Sequence, residues 1–227
     1  MEKMYNDKLI AQITVAKAAT NEETEIGSSQ EAINSHLTEV VNKLKEEIDK
    51  KFEEANSAML RANQALDCFK KENICELKAL GKPTQPIQDV AKAILLLRGD
   101  DSVFTWNKAL KMMGNPMKFI KELREYNKEE IDDRVLEKLK PILSEPYFNF
   151  EFMKFKNSGA SFLCAWVTNV VEYNRIYKQV ELLIHEKEAA ELEAANKEKE
   201  LVFVRDIVKE TLERQDGCLL KKPAEYS

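Results

Sequence analysis

The side chains best suited to chemistry are eight cations in the middle of the chain: Lys82, Lys92, Lys118, Lys121, Arg124, Lys128, Lys154 and Lys156. Clustered ammonium and guanidinium groups attract an acidic protein surface through long-range steering and short ion pairs. Nucleic acid is a poor candidate for that partner, because such binding calls for a strongly basic domain and this chain has an isoelectric point near 5.4. Acid–base catalysis is no better supported. The neighbouring carboxylates Glu129 and Glu130, and Asp132 and Asp133, sit in a polar turn where nothing apolar separates their pKa values. Solvated helix caps account for them. There is no glycine-rich phosphate loop, no Gly-x-Ser-x-Gly elbow and no His-Glu-x-x-His pair. Cys68, Cys75, Cys164 and Cys218 lack metal-ligand spacing, and His36 and His185 are remote from them, so they read as reduced thiols of an intracellular protein. No apolar run reaches transmembrane length, and the N-terminus has no signal-peptide core. The expectation is a soluble binding protein, not an enzyme, with no metal, no cofactor, and neither nucleic acid nor membrane as partner.

The elements that must position those cations divide the chain into three parts. The stretch from Pro83 to Lys178 holds both tryptophans, five of the six prolines and thirteen of the eighteen aromatic residues. Its fifteen Lys and Arg slightly outnumber its thirteen Asp and Glu, although the whole chain carries a formal charge of −5. The flanks are acidic, poor in aromatic residues and helical in their periodicity. Residues 1–82 are expected to form a first arm, 83–178 a compact helical head, and 179–227 a second arm with a tail. The fold class is all-α: a small helical bundle at the tip of an antiparallel coiled-coil hairpin made within one chain. Fifty helical residues would make each arm roughly 75 Å long.

Along the first arm the apolar positions step through Leu37, Val40, Leu44, Ile48, Phe52, Ala55, Met59, Ala62, Leu66 and Phe69, a heptad seam. Two successive steps of four between Leu44 and Phe52 predict a phase shift. Thr20–Gln30 is expected to be a linker or helix break, with Ser28 or Ser29 capping the helix after it. The second arm repeats the heptad through Val180, Leu183, Lys187, Ala190, Ala194, Lys197, Leu201, Val204 and Val208. Its lysines and alanines make a weak seam, suited either to a solvated helix or to a coiled coil that slips. In the head, Pro83 and Pro86 end the first arm by removing amide donors. Helices are predicted over Gln88–Leu97, closed by Gly99, then over Trp106–Met113, Pro116–Tyr126 and Asp132–Leu143, the last cut short by Pro141. A long one runs from Phe150 to Tyr177 and continues into the second arm.

An ordered set of motifs resembles the stalk of dynein heavy chains. It begins with Ala65-Leu66-Asp67 and Lys78-Ala79-Leu80-Gly81-Lys82-Pro83, then Ile94-Leu95-Leu96-Leu97-Arg98-Gly99. It continues through Trp106-Asn107-Lys108-Ala109-Leu110-Lys111-Met112-Met113-Gly114, Phe119-Ile120, Tyr126-Asn127-Lys128-Glu129-Glu130-Ile131, Val135-Leu136 and Lys138-Leu139. Phe148-Asn149-Phe150-Glu151 and Cys164-Ala165-Trp166-Val167 complete it, and the resemblance covers about Met59 to Glu181. Lys111 to Gly114 and Ser144 to Asn149 look axonemal rather than cytoplasmic.

The resemblance implies a microtubule-binding head docking at the α/β-tubulin junction, in a segment without a nucleotide site or cofactor. The AAA+ ATPase ring would lie elsewhere in the heavy chain, and the setting would be the cytoplasm and cytoskeleton, including the ciliary axoneme. It adds Gln88, which stands where many relatives have a lysine, to the eight cations as a contact position. It also implies that coiled-coil register sets affinity, with Pro83 and Pro86 as the stalk–head hinge and Lys187, Ala190, Ala194 and Lys197 as register positions. Phe155, flanked by Lys154 and Lys156, stands where relatives carry a basic residue, and Phe150 replaces a usual proline. The alternative is a structural coiled-coil adaptor whose head binds another protein.

Overall fold

A computed structural model describes the backbone of residues 2–219, and the side chains of 29 and of 32–210 apart from 208. Among the described residues every regular element is an α-helix. In chain order they are α1 (Glu2–Cys68), α2 (Lys71–Ala79), α3 (Gln85–Leu97), α4 (Trp106–Met112), α5 (Pro116–Arg124), α6 (Asp133–Leu143), α7 (Phe150–Lys156) and α8 (Ser158–Leu219). They belong to two compact units, one of Glu47–Leu183 and the other of Met1–Glu46 with Ile184–Ser227.

No break occurs at Thr20–Gln30, because α1 runs straight through it. A single glycine inside a long helix costs only about 1 kcal/mol relative to alanine, which the flanking turns absorb. In the Glu47–Leu183 unit the inward positions of α1 step through Ile48, Lys51, Ala55, Ala58, Ala62 and Ala65, three or four residues apart, and Leu66 is buried beside the last of them. The phase shift expected at Phe52 is therefore absent: Phe52 is 46% exposed and Lys51 takes the inward place. Lysine tolerates that position by burying its stem and carrying its ammonium out to Glu54, 2.9 Å away. The small Ala55 and Ala58 admit Tyr173 and Ile176 of α8, and Arg61 Nε donates to Asn169 Oδ1 at 2.8 Å. These pairs run in opposite chain directions, so the helices are antiparallel.

In the second unit Val41 and Leu201 are buried, while Lys187, Ala190, Ala194 and Lys197 are half-buried. Lys45 faces Glu191 at 3.9 Å, again an antiparallel pairing. Val204 is 39% exposed, and the side chain of Val208 lies outside the described residues, as does that of Cys218.

The head packs around α3, whose Val90, Ala93 and Ile94 are almost wholly buried, and the start of α8, where Trp166, Val167 and Val170 are fully buried. Gly99 ends α3 with φ 82°, a left-handed value that glycine adopts without strain, and the Asp100 amide closes the end on Leu95 O at 2.9 Å. Four boundaries differ from expectation, each for a local reason. The first arm stops at Cys68, well before the prolines: Phe69 leaves the helix to lie edge-on against Phe119, and the Asn73 side chain caps α2 by accepting from Lys70 N at 2.9 Å. Helix α3 starts at Gln85 because Pro86 fits a first turn, where no amide donor is required. Pro141 sits inside α6 without shortening it. Finally, the predicted long helix is split at Asn157, extended at φ −163° and ψ 128°, whose side chain caps α8 by accepting from Ala160 N at 2.9 Å.

Helix α2 lies directly on α8 at Gly159, where an added Cβ would fall 2.9 Å from Asn73 O. Gly159→Val is expected to lower stability by about 1–3 kcal/mol through forced separation of the two helices. Gly81→Ala, into open space, should stay within about 0.5 kcal/mol of the parent. Denaturant unfolding of both variants measures this; equal midpoints would contradict the close approach.

Candidate functional site

Helices α3 and α7 meet through the turn between α6 and α7. Tyr147 in that turn donates its hydroxyl to Asp89 Oδ2 at 2.7 Å, Gln85 Nε2 donates to Asp89 Oδ1 at 2.9 Å, and Phe152 of α7 lies against the Tyr147 ring at 6.1 Å. The bond to Asp89, with burial, pushes the Tyr147 phenol up to about 12. On α7, Asn149 caps the helix by accepting from Phe152 N at 2.8 Å. Lys154 then lies over the Phe150 ring at 5.9 Å and Lys156 over the Phe152 ring at 5.5 Å, contacts that fix both cations in place. Between them Phe155 is 88% exposed. Lys92 of α3 lines a cleft with Lys138 and Pro141 of α6. Lys82, Lys92, Lys154 and Lys156 are exposed, and none is in an ion pair among the described residues.

The other expected contact positions are placed differently. Lys118 and Lys121 are 72% and 71% exposed on α5 and pair along the helix with Glu122 at 3.8 Å and Glu125 at 3.7 Å. Such surface pairs are weak. Arg124 reaches across to α1, where its Nη2 donates to Asp67 Oδ1 at 2.7 Å. Gln88 is half-buried and donates to Pro83 O at 2.9 Å, so its amide is committed to the turn before α3. Lys128 is not a surface residue: it is 6% exposed, with Nζ 3.4 Å from Tyr126 O, and burial holds its ammonium below the usual lysine range. It leaves the set of contact candidates because no partner can reach it in the folded head. The turn carrying Pro83 is also firmly held, by Gln88, by Trp106 Nε1 donating to Leu80 O at 3.2 Å, and by Lys78 Nζ donating to Gly114 O at 3.3 Å. Pro83 itself is buried and Pro86 half-buried.

One cluster escaped sequence reasoning. Asn174 of α8, fully buried, donates its amide to Lys128 O at 2.9 Å and Glu129 O at 2.8 Å. Tyr173 donates to Glu129 Oε1 at 3.1 Å, and Lys178 reaches Ile131 O at 3.2 Å and also Asp133. Burial, and then the Glu129 bond, push Tyr173 up to about 12. An asparagine between inward-facing Tyr173 and Ile176 was the available signal. The acidic pairs serve this loop and the next helix: Asp132 caps α6 by accepting from Arg134 N at 2.8 Å. Cys68 and Cys75 are exposed, whereas Cys164 is buried and its thiol is pushed up to about 12. Among the described residues no group of His, Cys, Asp or Glu is arranged to hold a metal ion, and no helix is long and apolar enough to cross a membrane.

Because the Lys128 ammonium is disfavoured by folding, the folded state binds that proton less tightly than the unfolded state. Its penalty is present at neutral pH and is relieved as pH rises through the folded value towards the ordinary lysine value. Lys128→Met should therefore be more stable than the parent at neutral pH and show a flatter rise in the alkaline range. Urea unfolding across pH checks this, and a less stable Met variant at neutral pH would contradict it.

Residues 2–215 match the family described as the microtubule-binding stalk of dynein motor. The chain is 31% identical over 179 residues to a ciliary dynein beta chain of Tripneustes gratilla and 31% identical over 182 residues to dynein axonemal heavy chain 17 of Mus musculus. It is 30% identical over 183 residues to the flagellar outer arm dynein beta chain of Chlamydomonas reinhardtii. These alignments cover 77%, 77% and 79% of this chain and 4% of each relative, so the chain corresponds to a small part of their length. With an all-helical head, an antiparallel pair of arms and a family match across nearly all its residues, the chain belongs to the microtubule-binding stalks of dynein motors.

Proposed function

We propose that the chain forms the stalk tip of an axonemal-type dynein heavy chain, binds at the junction between α- and β-tubulin, and serves ciliary movement as part of a motor whose AAA+ ring lies elsewhere. The observation that carries this reading is the exposed set Lys82, Lys92, Lys154 and Lys156, outside any ion pair among the described residues, on and beside the adjoining helices α3 and α7. An acidic tubulin surface would satisfy such cations, with an attraction that weakens as salt rises. Lys118 and Lys121 extend the set on α5. Phe155, 88% exposed between two ring-anchored lysines, adds apolar surface to the set. The adaptor alternative needs arms that pair between chains, whereas Arg61 with Asn169, and Tyr173 with Ala55 and Ala58, pair them within one.

Affinity would follow register. Lys187, Ala190, Ala194 and Lys197 are inward positions with small or polar side chains, and they hold one register weakly. Two arrangements of similar energy are what alternating affinity requires.

Co-sedimentation with stabilised microtubules at low and moderate salt tests the binding face. Lys154→Glu/Lys156→Glu should weaken pelleting at least tenfold and flatten its salt dependence; unaltered binding would remove α7 from the face. In the arm, Lys187→Leu/Lys197→Leu should lock one register and shift affinity about tenfold, up or down. The same affinity as the parent at every salt concentration would refute register coupling.

A further inference from the structure

Helix α5 and the loop after it hold both arms, and they hold them unequally. On the α1 side the polar contact among the described residues is Arg124, whose Nη2 donates to Asp67 Oδ1 at 2.7 Å and lies 3.5 Å from Leu66 O. Both partners are open to water, with side chains 47% and 62% exposed. On the α8 side the loop is gripped by the buried Asn174 amide on two backbone carbonyls, by Tyr173 on Glu129 and by Lys178 on Ile131 O. Tyr126, at the foot of the loop, packs edge-on against the buried Trp166 at 5.8 Å. Leaving those carbonyls unsatisfied inside the protein is far more costly than parting one solvated ion pair. Of these polar contacts the one with Asp67 is the weaker, so when α1 shifts along α8 the loop keeps its bonds to α8, the apolar packing of Phe69 on Phe119 adjusts, and the ion pair parts.

The three cations of α5 differ in one respect. Lys118 and Lys121 pair with Glu122 and Glu125 of their own helix, whatever the arms do. Arg124 instead pairs with a residue of α1. We propose that Asp67 is a register-dependent mask: in the arrangement seen here it neutralises Arg124, and displacement of α1 releases that guanidinium to an acidic surface of the microtubule. Asp67 thus sets how many cations α5 presents without itself touching the partner. The inference rests on the microtubule-binding reading above and adds to it the residue that ties arm position to charge.

The test uses the whole chain and microtubule co-sedimentation at low and moderate salt. Asp67→Asn, which keeps the shape and removes the charge, should raise affinity about three- to tenfold and steepen the salt dependence by about one released counterion. Asp67→Glu should bind like the parent. Adding Arg124→Gln to Asp67→Asn should abolish the gain, so that the double variant equals Arg124→Gln alone. Parent-like affinity for Asp67→Asn, or a gain that survives Arg124→Gln, would overturn the mask while leaving the binding reading intact. A parent chain that fails to pellet at any salt concentration would overturn the binding reading, and the mask with it.

Discussion

Within the head, the burial of Trp166 and Asn174 on α8 is the constraint on which the remaining geometry depends. Trp166 fixes Tyr126, and Asn174 supplies the side-chain donor to the Lys128 and Glu129 carbonyls. A loop that turns its backbone carbonyls inward must find donors there, because an unpaired buried carbonyl costs about 1–3 kcal/mol. Once the loop is fixed, the end of α5 is fixed, and with it the direction from which Arg124 reaches α1. The start of α6 is set by the same loop through the Asp132 cap. One side-chain amide therefore positions elements far apart in sequence.

The electrostatics of the head are those of a surface able to exchange partners. Its surface cations include some outside any ion pair among the described residues, such as Lys154 and Lys156, and others in solvent-exposed bridges, such as Lys118 and Lys121. Exposed bridges contribute roughly 0–1 kcal/mol and are easily replaced by a competing carboxylate. The deeply buried cation Lys128 is committed to the loop. Aromatic rings under Lys154 and Lys156 limit the freedom of those side chains without neutralising them, so the proposed contact with an acidic partner would cost less entropy.

Much of the fold was legible in the sequence because it obeys local rules. The periodicity of α4, α5 and α6, the cap at Gly99 and the continuation of the last head helix into the second arm can all be read from residue type and spacing. The features that escaped were decided by tertiary contact. Phe69 leaves α1 with no proline or glycine nearby, because burial against Phe119 outweighs one more turn of helix. Lys51 replaces Phe52 in the seam because the face of α1 that meets Tyr173 and Ile176 of α8 runs through Ala55 and Ala58, and Lys51, not Phe52, continues that face. The site was legible as a list of cations but not as an arrangement. Sequence alone could not tell that Lys128 is buried, that Gln88 closes a turn or that Arg124 faces Asp67. The split between α7 and α8, expected as one unbroken helix, escaped for a local reason: apolar periodicity runs through Asn157 and masks its side chain as the cap of α8.

The central claim is that the position of α1 against α8 governs binding, and trapping that position tests it most directly. In a chain whose native cysteines are replaced by serine or alanine, Ala55→Cys/Ile176→Cys, two members of one buried cluster, would trap the register seen here, and Met59→Cys/Ile176→Cys a register displaced by four residues. Microtubule affinity measured for the two trapped forms, before and after reduction, should differ by at least threefold, with the displaced register binding more tightly because Arg124 is released. Equal affinities for the two oxidised forms would contradict the account.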